Sequence, residues 1–448
     1  MRSPLFRTER GLNRSIVTQI SEQKNEPGWM TDYRLQALEI FESLPMPSWG
    51  ADLSALDPYD IHYYLKPLKK QHTSWQDIPT DIKTTFEKLG IPQAEQSMLA
   101  GVNAQFESEV IYKSLKQEWA ARGVIFCDMS QGLKNYPELF KTYFSTLVPA
   151  NDNKFAALNA AVWSGGSFIY VPHGVHIDKP LQAYFRIEAD HMGQFERTLI
   201  IAEESSRIDY VEGCSAPVYS SNSLHSAVVE IIAHKKSVVR YFTIQNWAPN
   251  IYNLVTKRAL AHEHAHVSWI DGNFGSKVTM KYPSVILKEP YAKAEIISIA
   301  VAGKNQHQDS GAKVIHLAPH TRSTILAKSI SKQGGKTTYR GLVKVIDKAH
   351  DTQAQVTCDA LLFDEHSQSE TFPTMIVSNN ETDLSHEASV SNLNQDDLFY
   401  CMTRGLTQNS AQALLVNGFI EPFVSLLPME YALELNRLIE LEMEGSIG

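Results

Sequence analysis

From Pro27 onward the apolar positions Trp29, Tyr33, Ala37, Ile40, Phe41 and Leu44 fall at i, i+4, i+8, i+11, i+12 and i+15. That spacing is one face of an α-helix. Pro27 suits its first turn, and the Pro45-Met-Pro-Ser-Trp49 run ends it. A second stretch of helical period, Phe106 to Trp119, leads into the short apolar piece Gly123-Val-Ile-Phe-Cys127. Residues 1–150 are therefore expected to form a helical N-terminal region. From Phe168 the pattern changes. Phe168–Val171, Leu181–Ile187, Thr198–Ala202, Ile208–Val211, Val228–Ala233 and Val238–Ile244 are short runs rich in β-branched and aromatic residues. Turn groups such as Gly165-Gly166, Pro172-His-Gly174 and Asp178-Lys-Pro180 separate them, so each predicts a strand. Helical spacing returns near residue 395. Asn409 or Ser410 can cap a helix from Ala411 to Leu427, which Glu421-Pro422 should kink or split. Pro428 then opens a second helix, Met429 to Glu444.

Within the strand-rich part a phrase recurs: a small or apolar residue, a few polar ones, then a strand. It occurs at Ala202-Glu-Glu-Ser-Ser, Ala233-His-Lys-Lys-Ser, Ala261-His-Glu-His-Ala, Leu287-Lys-Glu-Pro and Leu317-Ala-Pro-His-Thr, in steps of 31, 28, 26 and 30 residues. Those steps are too irregular for propeller blades and compatible with the coils of a β-helix. A β-sandwich is the ordinary alternative, strained by more than 200 residues of strand. The chain thus divides into 1–150, a β core over 151–395, and a helical region over 396–448.

Composition narrows the functional classes. The 448 residues exceed one ordinary core, and 43% hydrophobic against 20% charged residues describes an ordered chain. Lysine and arginine number 41 against 50 acidic residues, a net charge of −9, with no basic block of five or more. Nucleic acid and anionic membrane are poor partners for such a surface. No apolar run reaches membrane-spanning length, and the start lacks the apolar core of a secretory signal. Four scattered cysteines make no disulfide framework. Together these point to a cytoplasmic protein with reduced thiols.

The chemistry centres on two of those cysteines, Cys214 in Tyr210-Val-Glu-Gly-Cys-Ser-Ala-Pro217 and Cys358 in Val356-Thr-Cys-Asp-Ala-Leu-Leu362, with Leu384-Ser-His-Glu-Ala388 further on. The glycine before Cys214 and Ser-Ala-Pro after it predict an accessible thiol at a strand end. Cys358 falls in an expected strand, where a thiol could equally be packing. His386 and Glu387 are adjacent, so only a turn would let both converge. The cysteines at 127, 214, 358 and 401 include no Cys-x-x-Cys pair, so one chain cannot readily enclose a four-thiolate iron–sulfur cluster.

These strings resemble the SufB family of iron–sulfur cluster assembly scaffolds. The likeness extends to Lys24-Asn-Glu-Pro-Gly-Trp-Met30, Asp152-Asn-Lys-Phe-Ala-Ala-Leu-Asn159 and Trp163-Ser-Gly-Gly-Ser-Phe-Ile-Tyr-Val171. The resemblance implies a right-handed parallel β-helix flanked by helical regions, and a scaffold that is not itself an enzyme. It implies that Cys214 accepts persulfide sulfur and that Cys358, His386 and Glu387 hold a transiently assembled cluster. Arg186, Gln245, Trp247 and Lys257 match residues lining the family's sulfur route. Family sites often carry another carboxylate where this chain has Ser385, and asparagine where it has Glu188. The implied partners are the SufC ATPase on the C-terminal helices, SufD or a second copy of this chain, a cysteine desulfurase with its sulfur-transfer protein, and apo iron–sulfur proteins. Reduced flavin belongs to the same expectation. A SufD-type subunit is the near alternative, and a β-helical polysaccharide lyase the alternative from another class.

Other motifs read as structural. His262, His264 and His266 alternate and would share a face on a strand, a zinc comb or, more simply, a solvated face. His173 and His176 flank a turn. Cys127 reads as a small buried hydrophobe and Cys401 as core. Ser331-Lys-Gln-Gly-Gly-Lys336 lacks Walker spacing, so ATP hydrolysis is expected of a partner.

Overall fold

The computed structural model describes residues 4–68, 71–88, 95, 98–216, 222–425, 427 and 432. Apart from Ala432, the expected helix over 429–444 lies outside the described residues, as does Pro217. The strand-rich part is a parallel β-helix of about eight turns, with helices at both ends of the chain. Each turn adds one strand to each of two ten-stranded sheets. In the first sheet Leu181–Arg186, Arg207–Ser215, Val238–Trp247, His266–Gly275, Lys293–Ala302, Arg322–Ser331, Thr352–Leu362 and Thr382–Asn392 pair in that order. In the second, Ser223–Ala233 and Ile251–Ala261 precede Val278–Lys281 with Ser284–Leu287, then His307–His316, Lys336–Val345 and Gln368–Val377.

The repeated phrase has a structural meaning. Ala202, Ala233, Ala261 and Leu287 are register partners at the ends of successive second-sheet strands. The polar residues that follow turn the chain at one corner. Ser205, Lys236, His264, Tyr291, His320 and Asp351 occupy that corner in successive turns, all with positive φ between 51° and 63°. Each of the first five donates its N–H to a carbonyl of the next turn, such as Lys236 to Glu263 and His320 to His350. The left-handed backbone is uncommon for such residues, and the corner ladder holds it in turn after turn.

Three helices, Arg14–Lys24, Gly28–Ser43 and Lys154–Val162, cover the outer face of the second sheet. Ile16, Phe41 and Leu158 join a cluster with Leu224, Tyr252 and Met280. The helix Gln408–Val424 lays Val416, Ile420 and Phe423 on Phe242, Ile270 and Ile299, the outer face of the first sheet. Thr407 caps this helix by accepting from the Ser410 N–H, in place of Asn409 or Ser410, and the helix runs through to Val424 unsplit.

Two further expectations change. The stretch Phe106–Trp119 is mostly strand: Gly101–Phe106 and Glu109–Leu115 form an antiparallel hairpin that closes one end of the first sheet. Its apolar positions looked helical because both faces are buried, with Ile111 and Phe106 against Ile82 and Phe86. His262 and His264 lie in the corner between strands and only His266 begins one, so they form no comb.

A polar column inside the solenoid as the candidate functional site

Inward-facing side chains of a parallel β-helix stack in rows, one residue per turn, because the register is in step. One row of the first sheet reads Ala183, Glu212, Thr243, Asp271, Ser298, Ala327, Cys358, Ala388. The next row reads Phe185, Cys214, Gln245, Asn273, Ala300, Ser329, Ala360. The two cysteines singled out by the sequence therefore sit on adjacent rows of one interior, five turns apart. At about 4.8 Å per strand that is about 24 Å.

Most of the interior is apolar, as a solenoid core ordinarily is, but one part of it is polar. Beginning at Cys214, the thiol lies 3.9 Å from the Glu212 carboxylate, which accepts from the Tyr241 hydroxyl. From the opposite sheet the fully buried Lys257 donates to Thr243 Oγ1 at 2.6 Å and Asp271 Oδ1 at 2.8 Å. Lys281 is 3.4 Å from the same Asp271 oxygen and 3.4 Å from Gln245 Oε1. Gln245 in turn accepts from Asn253 at 2.8 Å, and Asn253 meets His225 at 2.7 Å. His225 pairs with Glu196 at 2.7 Å and packs against the Trp247 ring, tilted by 39° with centroids 4.6 Å apart.

Burial and proximity set the charges. Burial first, then Glu212 and Glu196, push the Cys214 thiol well above its ordinary range, while Lys257 and Lys281 work the other way. Burial also raises Glu212. Burial would raise Asp271, but Lys257 and Lys281 hold it below the usual carboxylate value. Burial lowers Lys281 to about 8 against the pull of Asp271. Gln245 Nε2, Asn273 Oδ1 and Asp271 Oδ2 meet no hydrogen-bond partner among the described residues.

Cys214 is only 2% exposed. The expected accessible turn is in fact the last part of the strand Arg207–Ser215, and Gly213 is there because a Cβ would lie 2.7 Å from the Tyr184 ring. Gln245 is its register neighbour, and Lys257 and Trp247 also face the interior. Arg186 does not: it pairs with Ser215, one position out of phase, and donates to Ser215 Oγ at 2.9 Å and Glu188 Oε1 at 3.2 Å.

At the far end Cys358 is also buried, its thiol raised to about 12, chiefly by burial. It lines a pocket of about 20 Å³ with Ser298, Ser310 and Tyr339, whose hydroxyl faces the thiol. His386 and Glu387 lie on the strand Thr382–Asn392 rather than in a turn and do not converge. His386 pairs with Val356, on the face that carries Cys358, and Glu387 with Thr357, on the other. Thiol and imidazole thus share the inner face of the last two turns, and His386 Nε2 meets no partner among the described residues. Cys127 is buried as expected, whereas Cys401 is only partly so.

Glu212, Tyr241, Asp271, Lys281, His225 and Tyr339 escaped the sequence reading. The signal was present: stepping back from Cys358 by the coil repeat reaches Asp271 and Glu212, charges inside otherwise apolar strands.

Comparison with known proteins agrees with this architecture. A family profile described as "SUF system FeS cluster assembly, SufBD core domain" matches residues 185–419, and "SufBD protein N-terminal region" matches 16–183. A relative from Staphylococcus epidermidis, an iron-sulfur cluster assembly SufBD family protein, is 58% identical over 99% of this chain and 96% of its own length. Similarly described proteins of Staphylococcus saprophyticus and Staphylococcus aureus are 58% and 57% identical over the same shares. The polysaccharide-lyase alternative is thereby set aside: the chain belongs to the SufBD family of iron–sulfur cluster assembly proteins.

Proposed function

We propose that the chain is a SufB-type scaffold that accepts sulfur at Cys214, conducts it along the interior, and builds a cluster at Cys358. The supporting observation is that two cysteines on adjacent rows face one interior, with a buried polar network running from Cys214 to Asp271 and Asn273, and Ser298 and Ser329 between it and Cys358. In the first step a donor persulfide delivers its outer sulfur: Cys214–SH + R–S–SH gives Cys214–S–SH + R–SH. Glu212 is placed to take the thiol proton, and Lys257 and Lys281 to stabilise the anionic sulfur. The two electrons that free sulfide would come from reduced flavin in the complex.

The nascent cluster is cargo. Cys358 and His386 offer one thiolate and one imidazole, and Glu387 a carboxylate on the outer face, so a second chain must complete the ligand set. SufD or a second copy of this chain, docked on the open edge at Thr382–Asn392, fills that role. SufC engages the C-terminal helices, a cysteine desulfurase with its transfer protein supplies sulfur, and apo-proteins receive the cluster, all in the cytoplasm. A SufD-type role is the second reading; the paired interior thiols favour the first.

The test is paired. Cys214→Ser should lose persulfide labelling and cluster formation, whereas Cys358→Ala should keep labelling and lose the cluster, read as absorbance after anaerobic reconstitution. Normal cluster yield from Cys358→Ala would sink the proposal.

A further inference from the structure

The corner that turns the chain between the two sheets carries side chains the sulfur route does not use. His264, Tyr291 and His320 stack there in successive turns, with centroids 4.7 and 4.8 Å apart and rings nearly parallel, at 4° and 12°. Below them the His350 ring meets His320 edge-on at 5.6 Å. Asp351 follows His350 and occupies in its own turn the left-handed position that His320 holds in the turn before. One ligand atom each from His320, His350 and Asp351 lies within 4.8 Å of the other two.

We propose that His320, His350 and Asp351 form a surface site for a divalent first-row transition metal, separate from the thiol chemistry. Both histidine Nδ1 atoms stand 3.4 Å from Asp351 Oδ2. In a tetrahedral site with bonds of about 2.1 Å, neighbouring ligand atoms are about 3.4 Å apart. The donor set is two imidazoles and one carboxylate, which suits zinc(II) and iron(II) and leaves positions open to water or a further ligand. Magnesium and calcium, which prefer all-oxygen shells, fit poorly.

The platform is preorganised. The His320 N–H is bonded to the His350 carbonyl at 3.0 Å, which fixes the two residues' spacing. The stack on Tyr291 restrains the His320 ring. All three side chains remain partly or largely exposed, so an ion can reach them without opening the core.

Cobalt(II) serves as the spectroscopic probe, titrated anaerobically into the full-length protein. Binding here should give visible d–d bands without the near-ultraviolet thiolate charge-transfer band that a cysteine ligand produces. His320→Ala, His350→Ala and Asp351→Asn should each abolish those bands. Each should also weaken zinc(II) and iron(II), measured in competition with a chromophoric chelator, by at least about tenfold. His264→Ala, two rungs away on the same ladder, should bind like the wild type, which separates a built site from general histidine affinity. Circular dichroism of each variant should match the wild type, since the substitutions are at an exposed corner. Three results would overturn the proposal: no bands in the wild type, bands that survive all three substitutions, or equal loss in His264→Ala.

Discussion

Single residues in the interior carry opposite demands of stability and reactivity. Cys214 is held protonated by burial and by Glu212, so its thiol should label slowly with a disulfide reagent in the folded chain and rapidly in denaturant. Labelling at equal rates in both states would contradict the buried geometry. Asp271 pairs with Lys257 and Lys281, which have no access to water, so Asp271→Ala removes the carboxylate that both lysines face. It should cost about 3 to 5 kcal/mol in denaturant unfolding. Lys281 gives a pH signature. Its folded value of about 8 lies below the ordinary 10.5, so between those limits the unfolded chain holds more protons and stability rises with pH. The buried thiols act in the opposite direction, but they are common to wild type and variant. The stability of wild type relative to Lys281→Met should therefore increase from pH 8 to pH 10.5; a flat difference would contradict the assignment.

At the scale of elements, close approach between adjacent strands decides tolerance. Gly275 ends its strand with φ of 68°, and a Cβ there would stand 1.7 Å from the Trp247 carbonyl oxygen. Gly275→Ala should destabilise by at least about 1 to 3 kcal/mol from backbone strain alone, visible as a lower denaturant midpoint. The helices after residue 394 divide their faces. Val416, Ile420 and Phe423 seal the first sheet, while Phe399 and Tyr400 are 70% and 58% exposed. On the proposal that SufC docks on these helices, the double variant Phe399→Ser, Tyr400→Ser should weaken SufC binding in a pull-down while leaving thermal stability unchanged. Deleting the whole tail is a poorer experiment, because it would strip an apolar sheet face.

For the whole molecule the decisive feature is the open end. Thr382–Asn392 and Gln368–Val377 close their sheets with pairing on one side only among the described residues, and Phe372, Ile376 and Val390 are exposed there. An unpaired edge with apolar side chains invites a second sheet. A lysine at this edge blocks such pairing, so Val390→Lys should remain monomeric by light scattering. It should still accept sulfur at Cys214 and should fail to retain a cluster. Cluster retention by a strictly monomeric variant would contradict assembly across two chains.

The pattern of apolar residues along the chain located the strands, the coil repeat and the return of helix near residue 395, because a solenoid is built from neighbours in sequence; it cut several strands short, reading Ile208–Val211 where the strand is Arg207–Ser215 and Val228–Ala233 where it is Ser223–Ala233. It also marked Cys214 and Cys358 through their local strings. Burial was not readable in the same way. Gly213 looked like a turn residue, yet it serves a ring contact inside a strand, and the alternation at Phe106–Trp119 was masked because both faces are covered. What only the tertiary structure decided was the register: it put Glu212, Asp271 and Cys358 in one row and turned Glu387 away from His386. Registers compound over many turns, so a one-residue slip anywhere would move every later side chain to the other face. No local stretch of sequence carries that sum.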